Sequence, residues 1–341
     1  MTPKWLFKLE AERAHALVEC GLKVWGKLPH SLEVPNPLLA QEILGLSLPN
    51  PIGLAAGFDK NATMLAGLSH LGFGAIEVGT LTPKPQPGNP KPRVFRYIEE
   101  QSLQNSMGFN NDGVLKAVQR LENLPPLSSL IGVNLGKNKD TPLENALSDY
   151  EKALSASLGV GDYYVFNLSS PNTPNLRDLQ NEAFVGELFS MAVERTHKPL
   201  FLKVSPDMPT DALLGVCERA LKAGAKGIIA TNTTIDYSLL PGVRSSGGLS
   251  GRVLQDKARA VFAEVARAFF GRAILVAVGG ISDGKEAYER IKMGAHFVQI
   301  FTAFIYQGPA ICCKINQDIV KLLQQDGLSS IHEAVGIGQK R

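Results

Sequence analysis

The sequence predicts an α/β protein, a closed (β/α)8 TIM barrel preceded by a small N-terminal amphipathic helical extension. Three observations predict it. From about residue 50, short apolar runs rich in β-branched residues alternate with amphipathic stretches, the pattern of a parallel sheet buried on both faces. There are eight such runs, which suits a closed barrel better than an open sheet. A chain of 341 residues, 44% hydrophobic, is also long enough to bury one large core.

Residues 1–35 form the extension and 36–341 the barrel. Ala14, Leu17, Val18, Gly21, Leu22 and Trp25 recur at helical spacing, with Trp5, Leu6 and Leu9 in a preceding turn. Lys4, Lys8, Arg13, Lys23 and Lys27 outnumber Glu10, Glu12 and Glu19. No apolar run approaches the roughly 18 residues of a spanning helix, and there is no signal-peptide core. Two short amphipathic helices of this kind either lie in a membrane surface or cap one end of the core.

Strands are expected near 52–56, 75–79, 130–135, 163–168, 199–204, 227–231, 274–278 and 296–300. Helices follow most of them, for example at 142–157, 210–223, 283–293 and 307–324. Two connections, about 80–129 and 232–252, are long enough to cover a site. The net charge of +3 is small and dispersed, so no nucleic-acid partner is expected. The four cysteines lack metal or redox spacing and the six histidines do not cluster, so no metal is implied and the thiols are expected to be reduced.

Barrel enzymes gather their chemistry where strands end. Here those ends carry Ala56-Gly57-Phe58-Asp59-Lys60, Gly79-Thr80, Asn134, Asn167 with Ser170 and Asn172, Lys203, Thr231-Asn232-Thr233, Gly279-Gly280 and Phe301-Thr302. Buried amides demand partners, and a ligand can supply them. Gly247–Gly251, Gly279-Gly280 and Phe301-Thr302, flanking the last two strands, fit backbone binding of a phosphate. No dinucleotide fingerprint follows a strand. Lys203 suits either a cation beside a flavin ring or a partner for a barrel carboxylate. Asn105, Asn167, Asn172 and Asn232 match a heterocycle with alternating N–H and C=O groups, and Lys60 a substrate carboxylate.

The stretches AAGFDKN, PKPQPGNPKPRVFR, NSMGFNN, GVNLGKNKDTP, NLSSPNTPNLR, ATNTT, GGLSGR, VAVGGI and VQIFTAF resemble, in order, those of dihydroorotate dehydrogenase. Ser170, where soluble classes carry cysteine, and the amphipathic extension resemble the quinone-dependent class. The resemblance implies FMN-dependent oxidation of (S)-dihydroorotate to orotate in pyrimidine biosynthesis, with Ser170 as base and Thr173 as its relay. It places Lys60, Asn105, Ser106, Met107, Gly108, Phe109, Asn167, Asn172, Asn232 and Thr233 at the substrate. Ala56, Gly57, Thr80, Asn134, Asn167, Lys203, Thr231, Gly251, Gly280, Phe301 and Thr302 would hold FMN. A membrane quinone would enter between the N-terminal helices, beside His15 and Arg96. A monomer held peripherally on the cytoplasmic side of a bacterial inner membrane is the expected setting. Ser106 stands where many relatives have arginine and Phe301 where tyrosine is common. The alternatives are a soluble dihydroorotate dehydrogenase using fumarate or NAD, another FMN barrel, and a lapsed enzyme kept as a membrane-bound binding module.

Overall fold

The computed structural model describes residues 2–28 and 36–339, so the expected boundary at 35/36 lies outside the described residues. In chain order the strands are β1 (Gln41–Ile43), β2 (Leu46–Leu48), β3 (Ile52–Leu54), β4 (Ala75–Leu81), β5 (Val94–Tyr97), β6 (Ser102–Asn105), β7 (Leu130–Leu135), β8 (Tyr163–Asn167), β9 (Leu200–Val204), β10 (Gly227–Ala230), β11 (Gly248–Gly251), β12 (Ile274–Val278) and β13 (Phe297–Ile300). Eight of these, β3, β4, β7, β8, β9, β10, β12 and β13, close into one barrel in sequence order. Every neighbouring pair in it is parallel. They coincide with the eight apolar runs.

Burial on both faces explains why those runs are apolar throughout. The outward side chains pack under helices such as Ala146–Ser157, Thr210–Lys222 and Gly284–Lys292. The inward ones, including Ala75, Tyr163, Val165, Phe201, Ile229, Val276 and Phe297, fill the lower barrel. The β1–β2 hairpin plugs that end with Ile43 and Leu48, and Gln41 donates to the His296 carbonyl at 2.6 Å. Each large side chain so buried contributes about 1.5–3 kcal/mol. The bottom of the barrel is therefore a packed core, and the room for a ligand lies toward the C-terminal strand ends.

Two expectations need correction. The helix expected over 307–324 starts later, at Ile311, and runs to Gln325; a separate short helix, Thr302–Gln307, precedes it and ends at Gly308 (φ +82°). The glycine-rich stretch 247–251 is not a free phosphate loop but largely strand β11. It pairs antiparallel with β6, which pairs with β5, so the two long connections join in one three-stranded sheet above the barrel. Glycine is required at 251 because its φ is +94° and a Cβ would sit 2.5 Å from the Gln101 carbonyl oxygen.

The extension folds as a 3-10 turn, Lys4–Lys8, and helix α1, Ala11–Trp25. Glu10 caps α1 by accepting from the Glu12 and Arg13 amides. Val18 and Leu22 pack on the core. The helix C-terminus lies on the helix Leu65–Ser69 across a glycine pair: a Cβ on Gly67 would meet the Leu22 carbonyl oxygen at 2.2 Å, and one on Gly26 the Gly67 amide at 2.7 Å. Phe7 stacks on Tyr306 with centroids 5.4 Å apart. Trp5, Leu17, Val24, Trp25 and Leu28 remain exposed. No helix among the described residues is long and apolar enough to cross a membrane.

Candidate active site

A cavity of about 870 Å³ occupies the space between the strand ends and the N-terminal hairpin. Its wall includes Ala56, Gly57, Lys60 and Thr80 from the first two strand ends, and Asn105, Met107, Gly108 and Phe109 from the covering loop. Asn167, Ser170, Asn172, Lys203, Thr231, Asn232 and Thr233 supply the middle, and Gly251, Gly280, Phe301 and Thr302 the last strands. His15 and Arg96 line its other end. Three predicted residues, Asn134, Ser106 and Thr173, are not on that wall.

Asn134 stands behind it. Its Nδ2 donates to Glu77 Oε1 at 2.6 Å, while its Oδ1 accepts from Thr80 Oγ1 at 2.5 Å and from Asn167 Nδ2 at 3.3 Å. Asn167 Nδ2 also donates to Thr80 Oγ1 at 3.0 Å. Asn232 Nδ2 donates to Ser169 Oγ at 3.0 Å and to Asn167 Oδ1 at 3.3 Å. Asn172 Nδ2 donates to Asn105 Oδ1 at 3.0 Å. The amides thus hold one another in fixed orientations, which costs the site no reorganisation when a ligand arrives.

Lys203 pairs with a barrel carboxylate, its Nζ 3.2 Å from Glu77 Oε1, and also lines the cavity. Glu77 was not foreseen. Its other oxygen accepts from Gln299 Nε2 at 2.6 Å, so a fully buried carboxylate has three donors. The signal was available: a charge inside the otherwise apolar β4. Lys60 is aimed by its neighbour, because the Asp59 carboxylate accepts from the Asn61, Thr63 and Met64 amides and knots the loop. Burial, then the Arg93 guanidinium, pushes the Lys60 ammonium down to about 8. Burial, then Lys60, lowers His15 to about 4, so it stands neutral with its edge toward Phe58 at 5.0 Å. Arg96 donates to the Leu6 carbonyl at 3.1 Å and to that of Leu9, tying down the 3-10 turn.

Ser170 Oγ accepts from the Asn172 amide at 3.3 Å. Thr173 is buried and its hydroxyl has no hydrogen-bond partner among the described residues, so the expected relay between the two is not closed by a direct bond. Ser106 serves through its backbone: its amide donates to the Arg93 carbonyl and its carbonyl accepts from Asn89. Arg177 was also missed. It donates to the Ser169 and Thr233 carbonyls at 3.0 and 2.9 Å and to Asp207 at 2.8 Å, clamping two site loops together.

Groups left unpaired show what the cavity lacks. Among the described residues, Asn172 Oδ1 and Thr233 Oγ1 are buried without partners. The Gly279 and Gly280 amides, both on wall residues, likewise donate to no acceptor among the described residues. Two free amides, a cation and fixed side-chain amides fit a phosphate-bearing planar ring and a second small heterocycle.

A (β/α)8 barrel with a polar well at its C-terminal strand ends, covered by an N-terminal helical hairpin, is the class that fold and site define. Residues 38–323 match the family model described as dihydroorotate dehydrogenase. The chain is 57% identical to dihydroorotate dehydrogenase (quinone) of Helicobacter acinonychis, covering 98% of this chain and 97% of that one. It is 46% identical to dihydroorotate dehydrogenase (quinone) of Thermus thermophilus, covering 97% and 98%. A crystal structure of DHODH in complex with ferulenol from Eimeria tenella superposes with a TM-score of 0.90 at 35% identity, over 97% of this chain and 96% of that one. The chain belongs to the dihydroorotate dehydrogenase family.

Proposed function

We propose that this protein oxidises (S)-dihydroorotate to orotate and delivers the two electrons to a quinone, with FMN as the bound carrier. The observation that carries this reading is a continuous cavity whose one end is polar and fixed and whose other end is walled by α1. FMN, when bound, supplies the hydride acceptor and passes electrons onward. The donor set fits it: Lys203, Thr80, Asn167 and Thr231 would meet the ring system, and Gly251, Gly280, Phe301 and Thr302 the phosphate.

Lys60 then takes the substrate carboxylate, and Asn105, Asn172, Asn232 and Thr233 match the pyrimidine edge, using the unpaired Asn172 Oδ1 and Thr233 Oγ1. Met107, Gly108 and Phe109 cover the ring and exclude water. Ser170 receives the C5 proton as hydride leaves C6. A serine is a weak base, so its own proton must depart as it accepts another. Thr173, three residues on, would take part in that relay, and its unpaired hydroxyl leaves it available to do so. His15 and Arg96 bound the route for the quinone head.

Residues 1–35 act as the lid and membrane contact, and 36–341 as the catalytic barrel. Exposed Trp5, Leu17, Val24, Trp25 and Leu28 with Lys4, Lys8 and Lys27 support peripheral attachment of a monomer to the cytoplasmic face of the membrane. The experiment is anaerobic: dihydroorotate bleaches the bound yellow chromophore and added quinone restores it. A colourless protein that does not reconstitute with FMN, or a chromophore dihydroorotate leaves oxidised, sinks the reading.

A further inference from the structure

Helix α1 reaches the polar end of the cavity through Glu19, which accepts from Thr63 Oγ1 at 2.7 Å, and through Glu12. Glu12 accepts from Arg93 Nη2 at 3.0 Å and from Nε at 3.2 and 3.3 Å, a two-pronged ion pair. The Arg93 side chain is 6% exposed. Its Nη1 donates to the Pro87 and Asn89 carbonyls at 2.7 and 2.9 Å and approaches that of Met107 at 3.5 Å. Gly88 (φ +77°) is fitted round the guanidinium, since a Cβ there would lie 2.7 Å from Nη1 and 2.3 Å from the Met107 oxygen.

Asn89 continues the connection. Its amide donates to the Met107 carbonyl at 3.0 Å, and its Nδ2 to the carbonyls of Ser106 and Asn172, each at 3.0 Å. An unbroken series therefore runs from α1 to the 105–109 loop and on to the loop bearing Ser170. Without Glu12, Arg93 would be a buried cation lacking its counterion, a strongly unfavourable state that the loop must move to relieve.

We propose that Glu12, Arg93 and Asn89 are positioning residues for dihydroorotate, so that seating of the N-terminal hairpin and grip on the substrate are one coupled equilibrium. The inference rests on the reading of the cavity given above. Linkage makes the coupling reciprocal: whatever shifts α1, a quinone or a membrane surface, changes dihydroorotate affinity, and substrate changes the seating of α1 by the same factor. Lys60 feels the same pair. The charge opposing its proton is Arg93, those favouring it are Glu12, Asp59 and Glu19, and His15 beside it stands neutral.

The test uses full-length, FMN-loaded protein under anaerobic conditions, following flavin bleaching against dihydroorotate concentration. Glu12→Gln should raise the half-saturating concentration about 5- to 20-fold. The limiting bleaching rate should stay within about twofold, the signature of lost binding rather than lost chemistry. The alkaline limb of affinity should move to lower pH, because a carboxylate that favours the Lys60 ammonium is gone. Cys20→Ser alters an exposed α1 side chain off the cavity wall without touching Arg93 or the seating of the helix, and should leave half-saturation unchanged. Glu12→Gln with wild-type half-saturation and pH profile overturns the proposal. So does an equal rise from Cys20→Ser, which would mean that any change on α1 disturbs the site. Wild-type protein that dihydroorotate does not bleach would instead defeat the functional reading, and this inference with it.

Discussion

The two ends of the cavity are built on different physics. At the strand ends, Glu77, Asn134, Thr80, Asn167, Asn232 and Ser169 form a connected hydrogen-bond network inside a rigid barrel. At the hairpin end, Val18, Leu22 and Phe7 offer apolar contact, and the hairpin is held by a glycine pair, a ring stack and a buried ion pair. The first arrangement recognises a ligand by unpaired donors and acceptors whose positions are already fixed. The second admits a hydrophobic molecule by shape and desolvation. Apart from the Glu12–Arg93 pair that links the two ends, substitutions should therefore divide between the two half-reactions, and that division is what experiments can break.

The largest effect is expected at Ser170. Ser170→Ala should slow flavin bleaching by dihydroorotate about 10²- to 10⁴-fold near neutral pH, as loss of a general base does. Reoxidation of chemically reduced enzyme by quinone should be unchanged. An unmodified bleaching rate would remove the base from the picture, and an equal loss in both half-reactions would erase the division. Next comes Glu77→Ala, which leaves the Lys203 ammonium buried and unpaired. A destabilisation of about 3–5 kcal/mol is expected, with loss of retained FMN, read by thermal unfolding and chromophore content. A stable, fully yellow variant would show that the pair does not organise the well.

How much of this was legible in the sequence follows the same division. The barrel strands announced themselves because burial on both faces leaves little but Val, Ile, Leu and Ala. Most of the polar wall followed, because Asn167 and Lys203 are residues that buried strands exclude without reason, and Asn232 follows directly on another such strand. Gly251 was noticed for the wrong local structure, since a glycine-rich stretch reads as a loop while its role in β11 depends on β6, more than a hundred residues away. Arg93, Asn89 and Glu12 carried no signal of their pairing. Arginine in a proline-rich loop and glutamate on an amphipathic helix look solvated until the two segments meet. Glu77 could have been found, as the one charge in β4.

A smaller effect concerns pH. Lys60 holds its proton up to about 8 because burial and Arg93 disfavour the ammonium. Below that pH the cation is present and dihydroorotate affinity should be flat. Above it, each unit removes about tenfold of the ammonium population and the half-saturating concentration should rise accordingly, toward a limit set by the other contacts. Stability moves the opposite way. Between about 8 and the roughly 10.4 of an unfolded lysine, the unfolded chain binds more protons at this position, so this one group makes folding more favourable as pH rises. Thermal stability that holds across the same pH window, measured beside the falling affinity, would exclude unfolding as the cause. Lys60→Met should bind weakly at every pH and lack the limb, and a limb that survives the substitution belongs to another group.

The smallest effect is expected on the outer face of the extension. Trp5 and Val24 are 56% and 60% exposed, and neither lines the cavity nor touches the Glu12–Arg93 pair. Replacing Trp5 with serine removes apolar surface that a lipid interface would bury, and should weaken binding to vesicles of anionic lipid several-fold. Bleaching by dihydroorotate should be untouched in detergent-free buffer, as should reoxidation by a short-chain, water-soluble quinone. Only turnover with a long-chain quinone presented in vesicles should fall, because the cost lies in reaching the lipid rather than in transferring electrons. A Trp5→Ser variant that loses the water-soluble quinone reaction to the same extent would place this residue in the apolar end itself, and the boundary between lid and membrane contact would have to be redrawn along the 3-10 turn.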